Sequence, residues 1–101
     1  MSPMSNDELK RSKAALLALV EKGPKPSVGA RRIADRLLNA LSDGFKPGSR
    51  AVRLAGLLRV QFESWFAEHR PADPEVAKRQ KTAMLGGIRQ LADLVARQRL
   101  R

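Results

Sequence analysis

The residue types that carry covalent or metal chemistry are scarce in this chain. There is one histidine, His69, and no cysteine. A metal centre built from the usual nitrogen and sulfur ligands therefore lacks its donors, and thiol chemistry is absent. The only gathering of carboxylates is Glu63, Glu68, Asp73 and Glu75. Glu63 and Glu68 stand five apart, which separates them around a helix, and Asp73 and Glu75 occupy positions where a helix start uses an acid. There is no P-loop, no glycine-rich dinucleotide fingerprint and no nucleophile elbow. The expectation is a protein that is not an enzyme and needs neither cofactor nor metal.

Cations, by contrast, are abundant. Twenty Lys and Arg stand against ten Asp and Glu, a net charge of +10. Such an excess opposes compaction and attracts polyanions. It is also unevenly placed. Residues 1–21 carry three bases and three acids and are neutral. Residues 22–59 carry nine and two, net +7; residues 60–75 carry one and four, net −3; residues 76–101 carry seven and one, net +6. Two basic regions thus flank an acidic junction.

The elements that position these charges are legible from Gly/Pro punctuation and apolar spacing. Four helices are predicted, over about 5–22, 27–43, 49–70 and 74–99, with no period-two alternation and hence no sheet. Ser5-Asn6-Asp7-Glu8 has the spacing of a capping box, and Leu9, Leu16, Leu17 and Val20 follow as a stripe that Gly23-Pro24 ends. Ser27 caps the second helix, with Ile33, Leu37 and Leu41 expected inward beside Ala34 and Leu38, and Arg32, Asp35, Arg36 and Asn39 in water. The third helix starts at Ser49, presents Leu54, Leu57, Leu58, Phe62, Trp65 and Phe66 as a wide core face, and is closed by Pro71. Asp73-Pro74-Glu75 opens the fourth, where Met84, Ile88, Leu91 and Val95 form a seam. Gly86-Gly87 inside it costs about 2 kcal/mol against two alanines; close approach by a large neighbour such as Trp65 or Phe66 is the expected reason, with a kink or break that divides the segment as the alternative. A helix–loop unit recurs at an offset of about 21 residues, each loop presenting a Lys, a Pro and a capping Ser (Lys25-Pro26-Ser27; Lys46-Pro47-Gly48-Ser49).

Helix starts bear a partial positive charge and favour acids. The first and fourth helices comply, with Asp7, Glu8, Asp73 and Glu75. The second and third do not: their first turns hold no acid, and Lys25, Arg31, Arg32, Arg36, Lys46, Arg50, Arg53 and Arg59 surround and follow them. Capping serine, backbone N–H groups and guanidinium groups converging at such a start make a phosphate site. These eight residues are the expected nucleic-acid contacts. Phe62, Trp65 and Phe66 are expected in the core rather than as stacking platforms for bases.

Ala55, Leu58, Arg59, Val60 and Trp65 fill the spacing of small residue, Leu, turn, Val and a core residue five positions on. This resembles the helix-turn-helix family, and Gly44-Phe45-Lys46-Pro47-Gly48 is similar to the approach loop of some winged bacterial repressors. The resemblance implies a turn at Arg59 and a reading helix whose Gln61, Glu63 and Ser64 meet base edges. Residues 50–69 read equally as one uninterrupted amphipathic helix.

The expected protein is one helical domain over residues 1–101 with frayed ends at about 1–4 and 98–101. Neither a secretion signal nor an apolar run of membrane length is present, so a cytoplasmic location is expected. No segment is expected to join a basic face to exposed large apolar residues, which argues against a membrane surface. The expected partner is DNA or RNA, with DNA slightly favoured, bound mainly through phosphates. The alternative is an acidic protein surface on which the chain docks as an interaction module or inhibitor; a homodimer is left open.

Overall fold

Three serines and an aspartate start the helices. In the computed structural model, which describes residues 5–23, 25–67 and 73–99, Ser5 Oγ accepts the Glu8 amide at 3.1 Å, Ser27 Oγ that of Ala30 at 3.1 Å and Ser49 Oγ that of Val52 at 3.3 Å. Asp73 Oδ1 accepts the Glu75 amide at 3.0 Å. Each bond satisfies an amide that the first helical turn leaves without a partner. The helices so begun are α1 (Asn6–Glu21), α2 (Val28–Ser42), α3 (Arg50–Trp65) and α4 (Pro74–Arg99), and no strand occurs among the described residues. The chain leaves α1 through Gly23 and α2 through Gly44, both at positive φ (89° and 87°), the backbone that ends a helix most cheaply at glycine.

The four helices run alternately up and down. Glu21 at the end of α1 pairs with Lys81 near the start of α4 at 3.0 Å. Arg31 at the start of α2 pairs with Glu63 at the end of α3 at 2.9 Å. Helices α1 and α4, α2 and α3, α3 and α4, and α1 and α2 pack as neighbours; α2 and α4 also touch across the bundle, whereas α1 and α3 scarcely meet. The cross-section is therefore a rhombus with α1 and α3 at its protruding corners. The molecule measures 44 × 22 × 21 Å.

The core follows the predicted seams with two shifts. Leu16, Val20, Leu38, Leu41, Leu58, Phe62, Trp65, Met84, Ile88 and Leu91 are fully buried, and the Phe62 and Phe66 rings stack at 6.1 Å. On α2, however, the inward line is Ala34, Leu38 and Leu41; Ile33 is 48% exposed. On α3 it is Ala51, Ala55, Leu58, Phe62 and Trp65, and Leu57 is 56% exposed. Ala34 on α2 and Ala51 and Ala55 on α3 hold buried places in these lines, and the larger Ile33 and Leu57 just off them face water.

Helix α3 also ends earlier than the predicted residue 70. Phe66 leaves helical geometry (φ −107°, ψ 16°), and its carbonyl accepts the Ser27 amide at 3.2 Å, tying the end of α3 to the start of α2. Pro71 and His69 lie outside the described residues, as do residues 1–4, 100 and 101 of the expected frayed ends; α4 stays helical to Arg99. Trp65 and Phe66 are not what Gly87 accommodates. A Cβ there would sit 2.9 Å from Leu58 Cδ2 and 3.8 Å from Leu54 Cδ1, so the close neighbour is α3's leucine pair. At Gly86 a Cβ would meet nothing within 4 Å.

Candidate nucleic-acid interface

Between Arg50 and Trp65 the backbone is one helix, so the turn implied at Arg59 does not form. Of the three residues that a helix-turn-helix would aim at bases, Glu63 has its side chain engaged within the bundle. Gln61 is half-buried, its carbonyl accepting from Gln80 Nε2 at 3.4 Å across to α4, and Glu63 is held by Arg31. Only Ser64 of the three is fully open to solvent and without a partner across the bundle.

The antiparallel α2–α3 pair sets the register of the basic residues. Arg31 lies level with Glu63, and Arg59 level with Asp35 and Asn39. Arg59 donates from Nη2 to Asn39 Oδ1, and its Nε stands 3.6 Å from Asp35 Oδ1. Continuing that register places Arg53 level with Leu41 and Arg50 just beyond the end of α2. The starts of α2 and α3 therefore lie at opposite ends of the bundle, about 22 Å apart for a 15-residue helix. Lys25, Arg31 and Arg32 gather at one end, and Lys46, Arg50 and Arg53 at the other. The eight expected contacts do not form a single cluster around two adjacent helix starts. They line one long side of the molecule.

No protein-family model, curated protein or solved structure matches this chain.

Pairing sorts the eight into two groups. Arg31 and Arg59 are engaged by Glu63 and by Asp35 with Asn39, and these bonds stitch α2 to α3. Lys25, Arg32, Arg36, Lys46, Arg50 and Arg53 are exposed and carry no ion pair among the described residues. Arg32 and Arg36 project from α2, and Arg53 from α3. Arg50, at the edge of this side, also lines a cleft of about 200 Å³ with Gln90, Asp93, Leu94 and Arg97 of α4. The first turns of α2 and α3 contain no acid, as expected, so their N-terminal amides and these guanidinium groups reinforce one another's positive field. Among the described residues no three His, Cys, Asp or Glu side chains group as metal ligands, and no helix is long and apolar enough to cross a membrane.

One feature escaped the sequence reading. Arg50, Arg53, Leu57, Val60 and Ser64 recur at steps of three and four, all exposed, as a second stripe along α3 (Val60 is 62% exposed). A basic face and large exposed apolar side chains do meet on one helix, contrary to the expectation. The stripe is offset by one or two positions from the buried line of Ala51, Ala55, Leu58, Phe62 and Trp65. The signal that separates them was present in the sequence: arginines at 50 and 53 mark the outer stripe, and Leu57 and Val60 continue its spacing.

Proposed function

We propose that the protein binds nucleic acid through its phosphates, using the side formed by α2 and α3. The observation that supports this best is the row of unpaired arginines there. Arg32, Arg36, Arg53 and Arg50 step along about 18 Å of the α2–α3 axis, judged from the antiparallel register. Neutral α1, at the opposite protruding corner, offers no comparable surplus. Cations left without acids next to two acid-free helix starts cost folding stability and gain an interaction only when an anion arrives.

A salt titration of binding to a random-sequence duplex tests the proposal. Four phosphates neutralised by those arginines give a slope of log K against log salt of about −3.6. Affinity then falls about 150-fold between 50 and 200 mM salt. A slope near zero refutes the phosphate mechanism. Absence of binding to both DNA and RNA at low salt turns the same basic side toward an acidic protein surface.

A further inference from the structure

The outer stripe of α3 adds more than charge. Its N-terminal half is Arg50 and Arg53, its middle is Leu57 and Val60, and it ends on Ser64. It spans about 21 Å on a helix that occupies a protruding corner, packed against α2 and α4 but scarcely against α1. Beside it, Gly56 stands where an added Cβ would meet nothing within 4 Å. Glycine in mid-helix costs about 1 kcal/mol against alanine, and no packing contact within the protein requires it. From these placements we infer that α3 lies in the major groove of B-form DNA, with Leu57 and Val60 against thymine methyl groups, Arg50 and Arg53 on phosphates or guanine edges, and Gly56 allowing close approach.

The inference rests on the nucleic-acid reading and narrows it to one class. The B-DNA major groove is about 12 Å wide and admits an α-helix, and the thymine C5-methyl is the apolar group it displays. The A-form major groove is too narrow for side chains to read. Single strands are usually held by stacking bases on aromatic rings, but Phe62, Trp65 and Phe66 are 1%, 1% and 4% exposed and Phe45 is half-buried against the core. An apolar stripe headed by two unpaired arginines is likewise a poor seat for a second copy of a chain that carries +10.

Deoxyuridine substitution isolates the methyl groups. Binding of the full chain is measured by fluorescence anisotropy to an A·T-rich duplex, to the same duplex with every thymine replaced by deoxyuridine, and to the matching RNA duplex. Burial of one methyl corresponds to about fourfold in affinity. The deoxyuridine duplex should therefore bind about fourfold to 15-fold more weakly, and the RNA duplex more weakly than the thymine duplex. The double variant Leu57→Ser, Val60→Ser changes only exposed side chains. It should bind thymine and deoxyuridine duplexes alike, with the salt slope of the wild type and an unchanged helical circular dichroism signal. Equal wild-type affinity for the two DNA duplexes with a steep salt slope overturns the groove reading and leaves the phosphate reading standing. Failure to bind any duplex overturns both. Equal or tighter binding to RNA, persistence of the thymine preference in the double variant, or a dimer in sedimentation that this variant abolishes also overturns it.

Discussion

Arg31 and Arg59 lie on the proposed contact side, yet they are occupied by acids of the protein itself. Removing those acids should release Arg31 and leave Arg59 held by its neutral bond to Asn39 alone, which a phosphate can displace. In the double variant Asp35→Asn, Glu63→Gln the Arg31–Glu63 contact at 2.9 Å and the Arg59–Asp35 contact at 3.6 Å both lose their charge. All four side chains are 39–60% exposed, so each pair contributes only about 0.2–1 kcal/mol to folding. The fold should survive with a slightly lower melting temperature. Together the two arginines add up to two phosphate contacts. The salt slope should then steepen by up to about 1.8, which at 150 mM salt corresponds to about 30-fold tighter binding as an upper bound.

The charge change alone would strengthen binding to any polyanion, so a matched control is needed. Asp7→Asn, Glu8→Gln removes two acids from the first turn of α1, the corner diagonal to α3. Both variants carry +12. Anisotropy titrations of the two against one duplex at 50, 100, 150 and 200 mM salt compare placement at constant net charge. The α2–α3 variant should bind tighter with the steeper slope, and the α1 variant should keep a slope close to the wild type. Equal slopes in the two variants refute a localised interface and leave only a diffuse attraction. A wild-type slope in the α2–α3 variant refutes the competition between phosphate and the internal acids.

Two further outcomes test the scaffold. Gly86→Ala should raise stability by about 1 kcal/mol, since its Cβ enters open space, whereas Gly87→Ala should lower it, because forcing a Cβ against the fully buried Leu58 costs about 1–3 kcal/mol and outweighs the same helical gain. Urea melts of both variants decide this, and stabilisation by both removes the close contact as the reason for Gly87. Ser49→Ala should cost about 0.5–2 kcal/mol in the same melts through loss of the cap on Val52; an unchanged midpoint would mean that this hydroxyl does not hold the start of α3.

The helix starts were legible in the sequence because capping is local: a Ser or Asp and the amide two or three residues on decide it. The α4 seam was legible because Met84, Ile88, Leu91 and Val95 recur at steps of four, three and four, with Leu85 and Leu94 packing only at its margin. The rotation of α2 and α3 was not, because on each a large apolar residue that faces water stands next to a buried one, Ile33 beside Ala34 and Leu57 beside Leu58. Which one is buried is set by packing against the partner helices, where Ala34, Ala51 and Ala55 hold buried places. The eight basic residues were legible as a charge excess, but their partners were not. Arg31 and Glu63 are 32 positions apart and Arg59 and Asn39 are 20 apart, so only the antiparallel register brings them together. That register also separates the two basic helix starts that the sequence places only about 21 residues apart.

Several features of this chain run against folding stability, and their location is informative. Cations crowd two helix starts where the dipole favours acids. Leu57 and Val60 leave apolar surface in water, and Gly56 weakens the middle of a helix without a packing reason. Each is unremarkable alone, since exposed apolar residues and surface arginines are common. Similar departures stand on α2, where Gly29 also meets nothing within 4 Å and Val28 and Ile33 are exposed, and at Gly86 on α4. On α3 three different departures meet along one exposed side, within about 21 Å of helix. Independent local faults would scatter over four helices, whereas most of these fall on the adjacent α2 and α3, the side where a ligand would supply the missing interaction. The bound anion would answer the arginines, an apolar group the leucine and valine, and close backbone approach the glycine. A phosphate backbone alone answers only the first of these, which is why the groove, and not merely the charge, is the stronger reading of this face.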